Sequence, residues 1–486
     1  MTRELRRLSF VILAMFIALF IATSWIQVVD ADNLAQNPAN TRTRLDSYQI
    51  QRGSLLVGGN AIATSVPVAD RYQYQRVYTD AAMWAPVTGY YNPALQSSTG
   101  IERALNPELS GSSSNSLVAE VERILSGQPQ QGLSAQLTMS AAVQKAAWDA
   151  LNENGYKGAV VALEPSTGRV LAMVSTPGFD TNKLAAHDTS AVDAEHDRLV
   201  ADPLKPLYNR AIAGNLNPPG STFKLVVATA ALESGKYTME STLPNPARYT
   251  LPGTSRQISN AWSGTCGPGE TATIADAIRL SCNIPMAELA VELGDDTVRA
   301  TAEKYGFNSE LDVPLAVTPS TYPDGLNAPQ TALTGFGQGD VRTTPLQMAM
   351  VAAGIANGGA VMKPRMVDAI IADDFAPYKK YTDEALDQVM SAEQAKTLTA
   401  AMVQGVASGA ATGARIDGVD VAGKTGTAEN GGNPYTLWFT GFAPAENPKV
   451  AVAVAVEDGG GKGQSGSGDG IAAPIAKKVI EAVLGR

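Results

Sequence analysis

The residues of this sequence best suited to nucleophilic catalysis are a serine and a lysine near the start of an apolar helix. In the run NPPGSTFKLVVATAALESG (217–235), prolines and a glycine break the chain before Ser221, and Lys224 follows one helical turn later. Residues three apart lie on one face of a helix, so the amine can reach the hydroxyl. An apolar site lowers the proton affinity of a lysine, which can then activate the serine. The structural alternative is an N-cap serine beside a surface lysine.

A second pair of polar residues lies at a corner between two predicted helices. In the run RLSCNIPMAELAVELG one helix ends at Ser281 and another starts at Pro285. Ser281 and Asn283 are therefore expected on a tight turn that faces a cleft. The pattern is weak by itself, because Ser113 and Asn115 repeat it in the N-terminal part.

A third group, Lys424, Thr425, Gly426 and Thr427, lies within a predicted strand, VAGKTGTA (421–428). A cation and two hydroxyls suit a substrate carboxylate, and glycine allows a ligand to approach the backbone closely. An exposed edge of this kind can also hydrogen-bond an extended peptide as an added strand. Alone, the group is equally compatible with a polar edge strand that has no ligand.

The composition excludes several classes of protein. The chain has 486 residues, and 37 Lys+Arg against 47 Asp+Glu give a net charge of −10, which argues against nucleic acid as a partner. His187 and His196 lie in a polar run where a solvated loop is expected, so a Ser-His-Asp hydrolase or a multi-histidine zinc enzyme is not favoured. Two cysteines exclude every four-thiolate metal site.

The N-terminus has the pattern of a membrane anchor. Arg3, Arg6 and Arg7 precede an uncharged segment, residues 8–29, that is long enough to cross a bilayer as a helix. The arginines predict a cytoplasmic tail at residues 1–7 and an extracytoplasmic location for everything after the anchor. The alternative, a cleaved signal peptide, would have a shorter apolar region and an Ala-x-Ala site.

Two regions follow the anchor. Residues 30–132 contain interrupted strands and end in a linker candidate, residues 128–132, and their expected role is a pedestal, partner-binding or dimerisation-like domain. Residues 133–486 change to helices mixed with strands. The predicted strands of this second region are residues 158–164, 170–175, 421–428, 436–443 and 449–457. Strands at both ends with helices between them predict an α+β domain built on one antiparallel sheet.

Taken together and in this order, the three groups resemble the Ser-x-x-Lys, Ser-x-Asn and Lys-Thr-Gly set of penicillin-binding proteins and serine β-lactamases. The chain is similar to a class B penicillin-binding protein of the penicillin-binding protein A type over nearly all of its length. Further matching runs are GIERALNPELSG (100–111), ALEPSTGRVLAMVSTPGFD (162–180) and GFGQGD (335–340). Two departures are Cys282, where aspartate is frequent, and residues 57–60, where Val-Gly-Gly-Asn replaces Asp-Arg-Asn-Gly.

The resemblance implies a five-stranded antiparallel sheet with helices on both faces, and the activity of a peptidoglycan D,D-transpeptidase. It implies that Ser221 attacks the carbonyl between two terminal D-alanines and that Lys224 is its base. Ser281, with Lys424 near, would relay a proton to the departing D-Ala, and Asn283 would hold the amide of the acyl chain. The other implied roles are substrate binding by Lys424, Thr425, Gly426 and Thr427, and an oxyanion hole made of the backbone N–H groups of Ser221 and Thr427.

The resemblance also implies ligands and partners, and it leaves alternatives open. Stem peptides ending in D-Ala-D-Ala and β-lactam antibiotics are the implied ligands, a membrane glycosyltransferase is the implied partner, and no metal or organic cofactor is implied. A D,D-carboxypeptidase has the same motifs, and a non-catalytic, β-lactam-binding division scaffold is another alternative. A β-lactamase is disfavoured, because no Glu-x-x-x-Asn lies between Ser281 and Lys424.

Cys266 and Cys282 are expected to form a disulfide. Outside the membrane, an even pair at this spacing can close a loop of order 15 residues and stabilise the fold by roughly 3 kcal/mol. The bond would join the GTCGPG loop to the Ser281 corner. Two free thiols, one of them packed as a small apolar residue, are the alternative.

Overall fold

The computed structural model describes residues 2–30, 33–34, 47–70, 72–95, 97–113, 131–214, 216–372 and 376–486. Two large sheets organise the chain. Their strands are β1 (Leu55–Val57), β2 (Asn60–Pro67), β3 (Tyr74–Tyr78), β4 (Ser134–Leu137), β5 (Gly158–Leu163), β6 (Val170–Thr176), β7 (Val367–Ile371), β8 (Pro377–Lys380), β9 (Ala422–Asn430), β10 (Asn433–Ala443) and β11 (Val450–Val456). The principal helices are α1 (Thr2–Ser24), α2 (Ala141–Asn152), α3 (Thr189–Ala201), α4 (Lys224–Glu233), α5 (Ile274–Leu280), α6 (Ile284–Leu293), α7 (Pro345–Ala356), α8 (Ala392–Ser408) and α9 (Ala473–Leu484).

Shorter elements connect these. Further helices are Ala81–Thr88, Gly100–Ala104, Asn106–Leu109, Thr181–Ala185, Asp295–Lys304 and Ala328–Thr334. Two-stranded ladders pair Tyr91–Asn92 with Ser97–Ser98, Thr242–Pro244 with Thr271–Thr273, Tyr249–Thr250 with Gln257–Ile258, Leu311–Asp312 with Ala316–Val317, and Ala360–Met362 with Ala385–Gln388.

The five strands predicted in the C-terminal region form one sheet. Its order is β9-β10-β11-β5-β6 and every neighbouring pair is antiparallel, which confirms the predicted α+β fold with a five-stranded antiparallel sheet. In β11 the valines pack with α2 and α9, and the alternating alanines belong to the core that α7 joins on the opposite face. Because both faces are covered, this strand is apolar at every position instead of alternating. Strand β9, together with Tyr435 of β10, borders the cleft described below.

The apolar helix α4 lies in the core of the region that the sheet organises. All residues from Lys224 to Leu232 are buried, as the unbroken apolar pattern predicts. A single 3-10 turn, Gly220–Phe223, precedes it, so Ser221 lies in this turn and not in the α-helix itself. Residues three apart lie above one another in a 3-10 turn as well, and the predicted proximity of Ser221 to Lys224 therefore survives the difference.

The N-terminal sheet includes strands from two distant parts of the chain. Its order is β8-β7-β4-β1-β2-β3, and β4 pairs with β1 in parallel. The strands β4, β7 and β8 come from the region predicted to start at residue 133, so the predicted boundary falls inside this sheet. A linker composition at 128–132 carries no information on long-range strand pairing. Residues 128–130 of that linker candidate lie outside the described residues.

A buried ionic cluster holds the N-terminal region together. The Glu102 carboxylate accepts hydrogen bonds from Arg52 Nε (2.5 Å), Arg76 Nε (2.6 Å) and the Tyr78 hydroxyl (3.2 Å), and all four side chains are buried. Burial raises the pKa of Glu102, but the two guanidinium groups outweigh it and hold that pKa below its usual value. The carboxylate therefore stays ionised inside the protein.

The expectation of a solvated loop is wrong for His196, and His187, which does lie in a bend between two helices, is half-buried. His187 packs against the rings of Tyr48 and Tyr72, and its Nδ1 lies 2.7 Å from Asp70 Oδ2. His196 lies on helix α3. The polar run reads as a loop because its aspartates and serine also suit helix caps, and Asp188 does cap α3.

The chain begins with the apolar helix α1, which continues into a π-helical turn at Trp25–Val29. Residues Arg3–Val29 span 27 residues and are not buried against the protein. At 1.5 Å per residue this length exceeds the roughly 30 Å of a bilayer core. Within the described ranges it is the one helix long and apolar enough to cross a membrane, which agrees with the predicted membrane anchor.

Candidate active site

Two glycines hold the turn that carries Ser221 against the edge of the sheet. Gly220 has φ +54°, and a Cβ there would lie 3.2 Å from backbone atoms of Thr427 and Ala428. Gly337 has φ +72°, and a Cβ there would lie 1.9 Å from the carbonyl oxygen of Gly220. Only glycine adopts such backbones and allows such approaches at low cost. Ser221, which is half-buried, is consequently fixed beside strand β9.

The Lys224 side chain is fully buried, with its amine among four oxygens. Nζ lies 2.9 Å from Ser221 Oγ, 2.7 Å from the Ser281 carbonyl oxygen, 2.8 Å from Asn283 Oδ1 and 3.5 Å from Ser281 Oγ. Burial first, and then the nearby charge of Lys424, lower the pKa of Lys224 well below its ordinary value. Both effects favour the neutral form of the amine.

The partners of the neutral amine determine where its lone pair points. A neutral amine has two N–H donors and one lone pair. The Ser281 carbonyl and Asn283 Oδ1 can only accept hydrogen bonds, so they take the two donors. The lone pair is then left for the hydrogen of the Ser221 hydroxyl, 2.9 Å away. This arrangement is the one a general base needs before it activates a nucleophile.

Ser281 lies between the two lysines. It is the residue that ends α5, with a left-handed backbone (φ 63°, ψ 39°) that directs the chain sharply into α6. Its Oγ accepts a hydrogen bond from Lys424 Nζ at 2.6 Å and lies 3.5 Å from Lys224 Nζ. A continuous set of polar contacts therefore runs from Ser221 through Lys224 and Ser281 to Lys424.

The corner that carries Ser281 is fixed by its neighbours. A disulfide joins Cys282 to Cys266, with 5.7 Å between the Cα atoms, which is the pairing that the sequence favours. The side chain of Asn260 accepts hydrogen bonds from the backbone N–H groups of Asn283 (2.7 Å) and Ile284 (3.2 Å), at the start of α6. These contacts satisfy free N–H groups of the helix start.

Asn283 lines the cleft, but its amide is already engaged. Its Oδ1 accepts from Lys224, and its Nδ2 donates to the carbonyl of Ser259 at 3.1 Å. The nitrogen carries two hydrogens, so one remains for a ligand. The structure therefore gives Asn283 a contact with Lys224, beyond the binding of the acyl amide that the resemblance implies.

The four residues Lys424, Thr425, Gly426 and Thr427 lie on strand β9 as predicted. Lys424 is buried, and burial lowers the pKa of its amine from 10.5 to about 7. The hydroxyl of Thr425 donates to the carbonyl of Ala410 at 2.7 Å, and Thr427 is half-buried. A Cβ on Gly426 would lie 2.9 Å from the carbonyl oxygen of Pro219. Glycine is therefore required where β9 meets the Ser221 turn.

The hydroxyl groups and the Asn283 amide face one cleft of about 1350 Å³, and the two buried lysines are not part of its lining. Its walls include Ser221, Ser281, Asn283, Thr425 and Thr427, together with residues that the sequence did not single out: Arg256, Asn260, Trp262, Arg342 and Glu429. Because side chains alternate along a strand, Glu429 lies on the same face of β9 as Thr425 and Thr427, and this two-residue spacing is visible in the sequence. The side-chain cap made by Asn260 has no comparable pattern. Across the described part of the chain, no three or more His, Cys, Asp or Glu side chains lie together as metal ligands would.

Comparison with known proteins agrees with this geometry. The family model for the penicillin binding protein transpeptidase domain matches residues 158–481, and that for the penicillin binding protein A dimerisation domain matches residues 52–135. The peptidoglycan D,D-transpeptidases PbpA of Mycolicibacterium smegmatis and Mycobacterium tuberculosis are 40% and 39% identical, over 100% of this chain and 99% of theirs.

The solved structures give the same result. Penicillin-binding protein A from M. tuberculosis, as its ceftriaxone acyl-enzyme complex, has a TM-score of 0.86 and 39% identity, and the match covers 90% of this chain and 100% of that one. Its penicillin G acyl-enzyme complex has a TM-score of 0.84 and 38% identity, over 89% and 99% of the two chains. With the family model, the full-length relatives and the fold in agreement, the chain belongs to the penicillin-binding protein transpeptidases, of the penicillin-binding protein A type.

Proposed function

We propose that this protein is a membrane-anchored D,D-transpeptidase that cross-links peptidoglycan stem peptides through an acyl-enzyme on Ser221. The observation that carries the proposal is the environment of Lys224. Two oxygens that can only accept hydrogen bonds use both donors of a neutral amine, so its lone pair is directed to the Ser221 hydroxyl. Relatives of this type are named peptidoglycan D,D-transpeptidases, and one has been solved with β-lactams bound as acyl-enzymes.

In the acylation step, Lys224 takes the hydroxyl proton as Ser221 Oγ forms a bond to the carbonyl carbon of the penultimate D-Ala. The negative charge on the carbonyl oxygen is stabilised by the backbone N–H groups of Ser221 and Thr427. Contact of Gly220 with the backbone of Thr427 supports this pairing. The peptide bond then breaks, and the departing D-Ala amine receives a proton from Ser281, which Lys424 and Lys224 replenish.

Strand β9 is proposed to bind the substrate carboxylate. Lys424 supplies positive charge, the hydroxyls of Thr425 and Thr427 donate hydrogen bonds, and Gly426 allows the backbones to approach. The Thr425 hydroxyl now donates to Ala410, so the carboxylate replaces that carbonyl as acceptor when substrate binds. Asn283 orients Lys224 with Oδ1 and offers its remaining amide hydrogen to the acyl chain.

An amine of a neighbouring stem completes the reaction. It attacks the acyl carbon, gives its proton to the Lys224 and Ser281 network, and displaces Ser221 Oγ, which is reprotonated. The cross-link forms and the free enzyme returns. A β-lactam enters the same route at its first step, because its ring amide replaces the peptide bond that Ser221 attacks.

The arrangement at the membrane is also a proposal. Three arginines before the anchor favour a cytoplasmic tail at residues 1–7, with residues 8–29 spanning the bilayer. A pedestal at 30–132 and a catalytic region at 133–486 would then lie outside, where the disulfide of Cys266 can persist. A separate membrane glycosyltransferase is proposed as partner, as the resemblance to the family implies.

Two measurements test the proposal. The full-length protein in detergent is treated with fluorescent penicillin, and we expect a covalent adduct on wild type and none on Ser221→Ala. A depsipeptide thioester ending in D-Ala-thiolactate is then supplied with either water or a D-amino acid as acceptor. Aminolysis faster than hydrolysis supports the transpeptidase, whereas hydrolysis alone identifies a carboxypeptidase. An unlabelled wild type would identify a non-catalytic scaffold.

A further inference from the structure

The cleft contains a carboxylate that the proposed mechanism does not use. Glu429 lines the cleft from strand β9 and is exposed. Its carboxylate makes no hydrogen bond or ion pair with any residue in the described ranges. The other carboxylate on the cleft wall, Asp469, is occupied: it accepts from the Gly413 N–H at 2.7 Å and the Thr412 hydroxyl at 3.1 Å. An unpartnered acid in an otherwise hydroxyl-rich and cationic cleft suggests a ligand with positive charge.

The place of Glu429 along the strand indicates which part of the substrate it faces. Side chains two apart on a strand share a face, so Thr425, Thr427 and Glu429 follow one another along the cleft. Their exposure increases in the same order, from buried through half-buried to exposed. Thr425 lies at the proposed carboxylate end, and Thr427 lies beside Ser221 at the scissile carbonyl. An extended donor peptide therefore passes Glu429 with the residue that precedes D-Ala-D-Ala.

The local backbone keeps this carboxylate at the cleft mouth. The pairing of β9 with β10 shifts register between Ala428 and Asn430, with the extra residue on β10, so the alternation along β9 continues to Glu429. The amide of Asn430 donates to the Pro434 carbonyl (2.8 Å) and the Thr436 hydroxyl (3.1 Å), which closes the hairpin behind Glu429. The carboxylate is thus held on a strand, not on a free loop.

We propose that Glu429 binds a cationic side chain on the residue that precedes D-Ala-D-Ala in the donor stem. The inference rests on the proposed function. Because a stem amine is the acceptor in cross-linking, each donor stem carries such an amine too, and that amine must be accommodated while the donor is acylated. Glu429 pairs with it as an ammonium group, which keeps it charged and therefore unreactive. Glu429 is a specificity-determining residue and does not touch the reacting atoms.

The test compares two thioester donors that differ in one charge. Both contain lysine before D-Ala-thiolactate, with a free side-chain amine in one and an acetylated amine in the other. We expect wild type to prefer the free amine by about two- to five-fold in the kcat/KM of acylation, the range of an exposed ion pair. The preference should shrink as ionic strength rises from 0.01 to 0.15 M, because the Debye length falls from about 30 to about 8 Å.

Matched variants assign the preference to one carboxylate. Glu429→Gln is expected to bring the ratio of the two donors close to one. Glu446→Gln makes the same change of charge at an exposed position on the loop after β10, and the ratio should stay at the wild-type value. Glu429→Lys should reverse the preference and favour a donor whose lysine amine is succinylated. Melting temperatures of all variants check that each is folded.

The outcomes separate this inference from the function on which it rests. A wild type that is acylated by both donors at equal rates, or a Glu429→Gln variant with the wild-type ratio, overturns the role of Glu429 and leaves the transpeptidase intact. A wild type that neither donor nor benzylpenicillin acylates overturns the proposed function, and the inference with it.

Discussion

Replacing Lys424 by methionine should stabilise the protein at neutral pH while it abolishes efficient acylation. Lys424 is buried, and burial lowers the pKa of its amine from 10.5 to about 7. Between these values the unfolded chain holds a proton that the folded protein lacks. The free energy of unfolding therefore decreases as the pH falls through this window, by about 1.36 kcal/mol per pH unit. At pH 7 the amine costs the fold about 5 kcal/mol.

Two lost hydrogen bonds offset part of that gain. Lys424 Nζ donates to Ser281 Oγ at 2.6 Å and to the Thr425 carbonyl at 2.9 Å, and methionine donates to neither. Ser281 lines the cleft, so water can replace the amine at its Oγ; the buried acceptor left without a donor is the Thr425 carbonyl, at a cost of about 1–3 kcal/mol. The variant should thus be more stable than wild type by about 2–4 kcal/mol at pH 7. Above pH 10.5 the amine is neutral in both the folded and the unfolded state, so only the loss of hydrogen bonds remains. The difference in the free energy of unfolding between the variant and wild type should then change sign.

The assay is the difference in melting temperature between Lys424→Met and wild type, measured on the full chain in detergent from pH 6 to pH 10. We expect a rise of several degrees at pH 6–7 that declines steadily as the pH increases. Lys462→Met, at an exposed position, is the control and should show no such trend. A Lys424→Met protein that melts at or below wild type at pH 7, or a difference independent of pH, would refute the reasoning.

Three further predictions concern single groups. Lys224→Arg replaces the neutral amine by a permanently charged group without a lone pair, so stopped-flow acylation by benzylpenicillin should slow by about 10²–10⁴-fold, and a loss under tenfold would contradict a lysine base. Glu102→Gln leaves two buried guanidinium groups without a counter-charge and should cost about 3–5 kcal/mol, seen as a lower melting temperature, whereas unchanged melting would show that the cluster is not needed. Cys266→Ser removes the bond to Cys282 and should cost roughly 3 kcal/mol; wild type in reductant should melt like this variant, and a variant still sensitive to reductant would argue against the disulfide.

The sequence was sufficient for those parts of the site that depend on local spacing. Ser221 and Lys224 are three residues apart, and they meet whether the segment is an α-helix or the 3-10 turn that the structure contains. The strands of the five-stranded sheet are recognisable in the sequence because valine either alternates with alanine or belongs to an uninterrupted apolar run. Spacing of this kind depends on only a few neighbouring residues, so it can be recognised from the sequence without knowledge of the fold.

The rest depends on contacts between distant segments. Nothing local indicates that Asn283 Oδ1 accepts from Lys224, or that Thr425 donates to Ala410, since these pairs are assembled by packing. The strands β7 and β8 join the N-terminal sheet for the same reason. Pairing across more than two hundred residues is decided by the whole fold, and composition near residue 132 could not predict it.

The position of Ser281 explains how two buried lysines can serve one reaction. Its Oγ lies 2.6 Å from Lys424 Nζ and 3.5 Å from Lys224 Nζ, so a single hydroxyl links both amines. That position requires a left-handed backbone, which costs a non-glycine residue of order 1 kcal/mol. The next residue along the chain is bonded to Cys266, and the side chain of Asn260 holds the start of the helix after it. The disulfide and the Asn260 hydrogen bonds, which lie outside the proposed substrate path, therefore offset the conformational cost at Ser281. They also hold its hydroxyl between the two lysines, a position that an ordinary backbone conformation at Ser281 would not maintain.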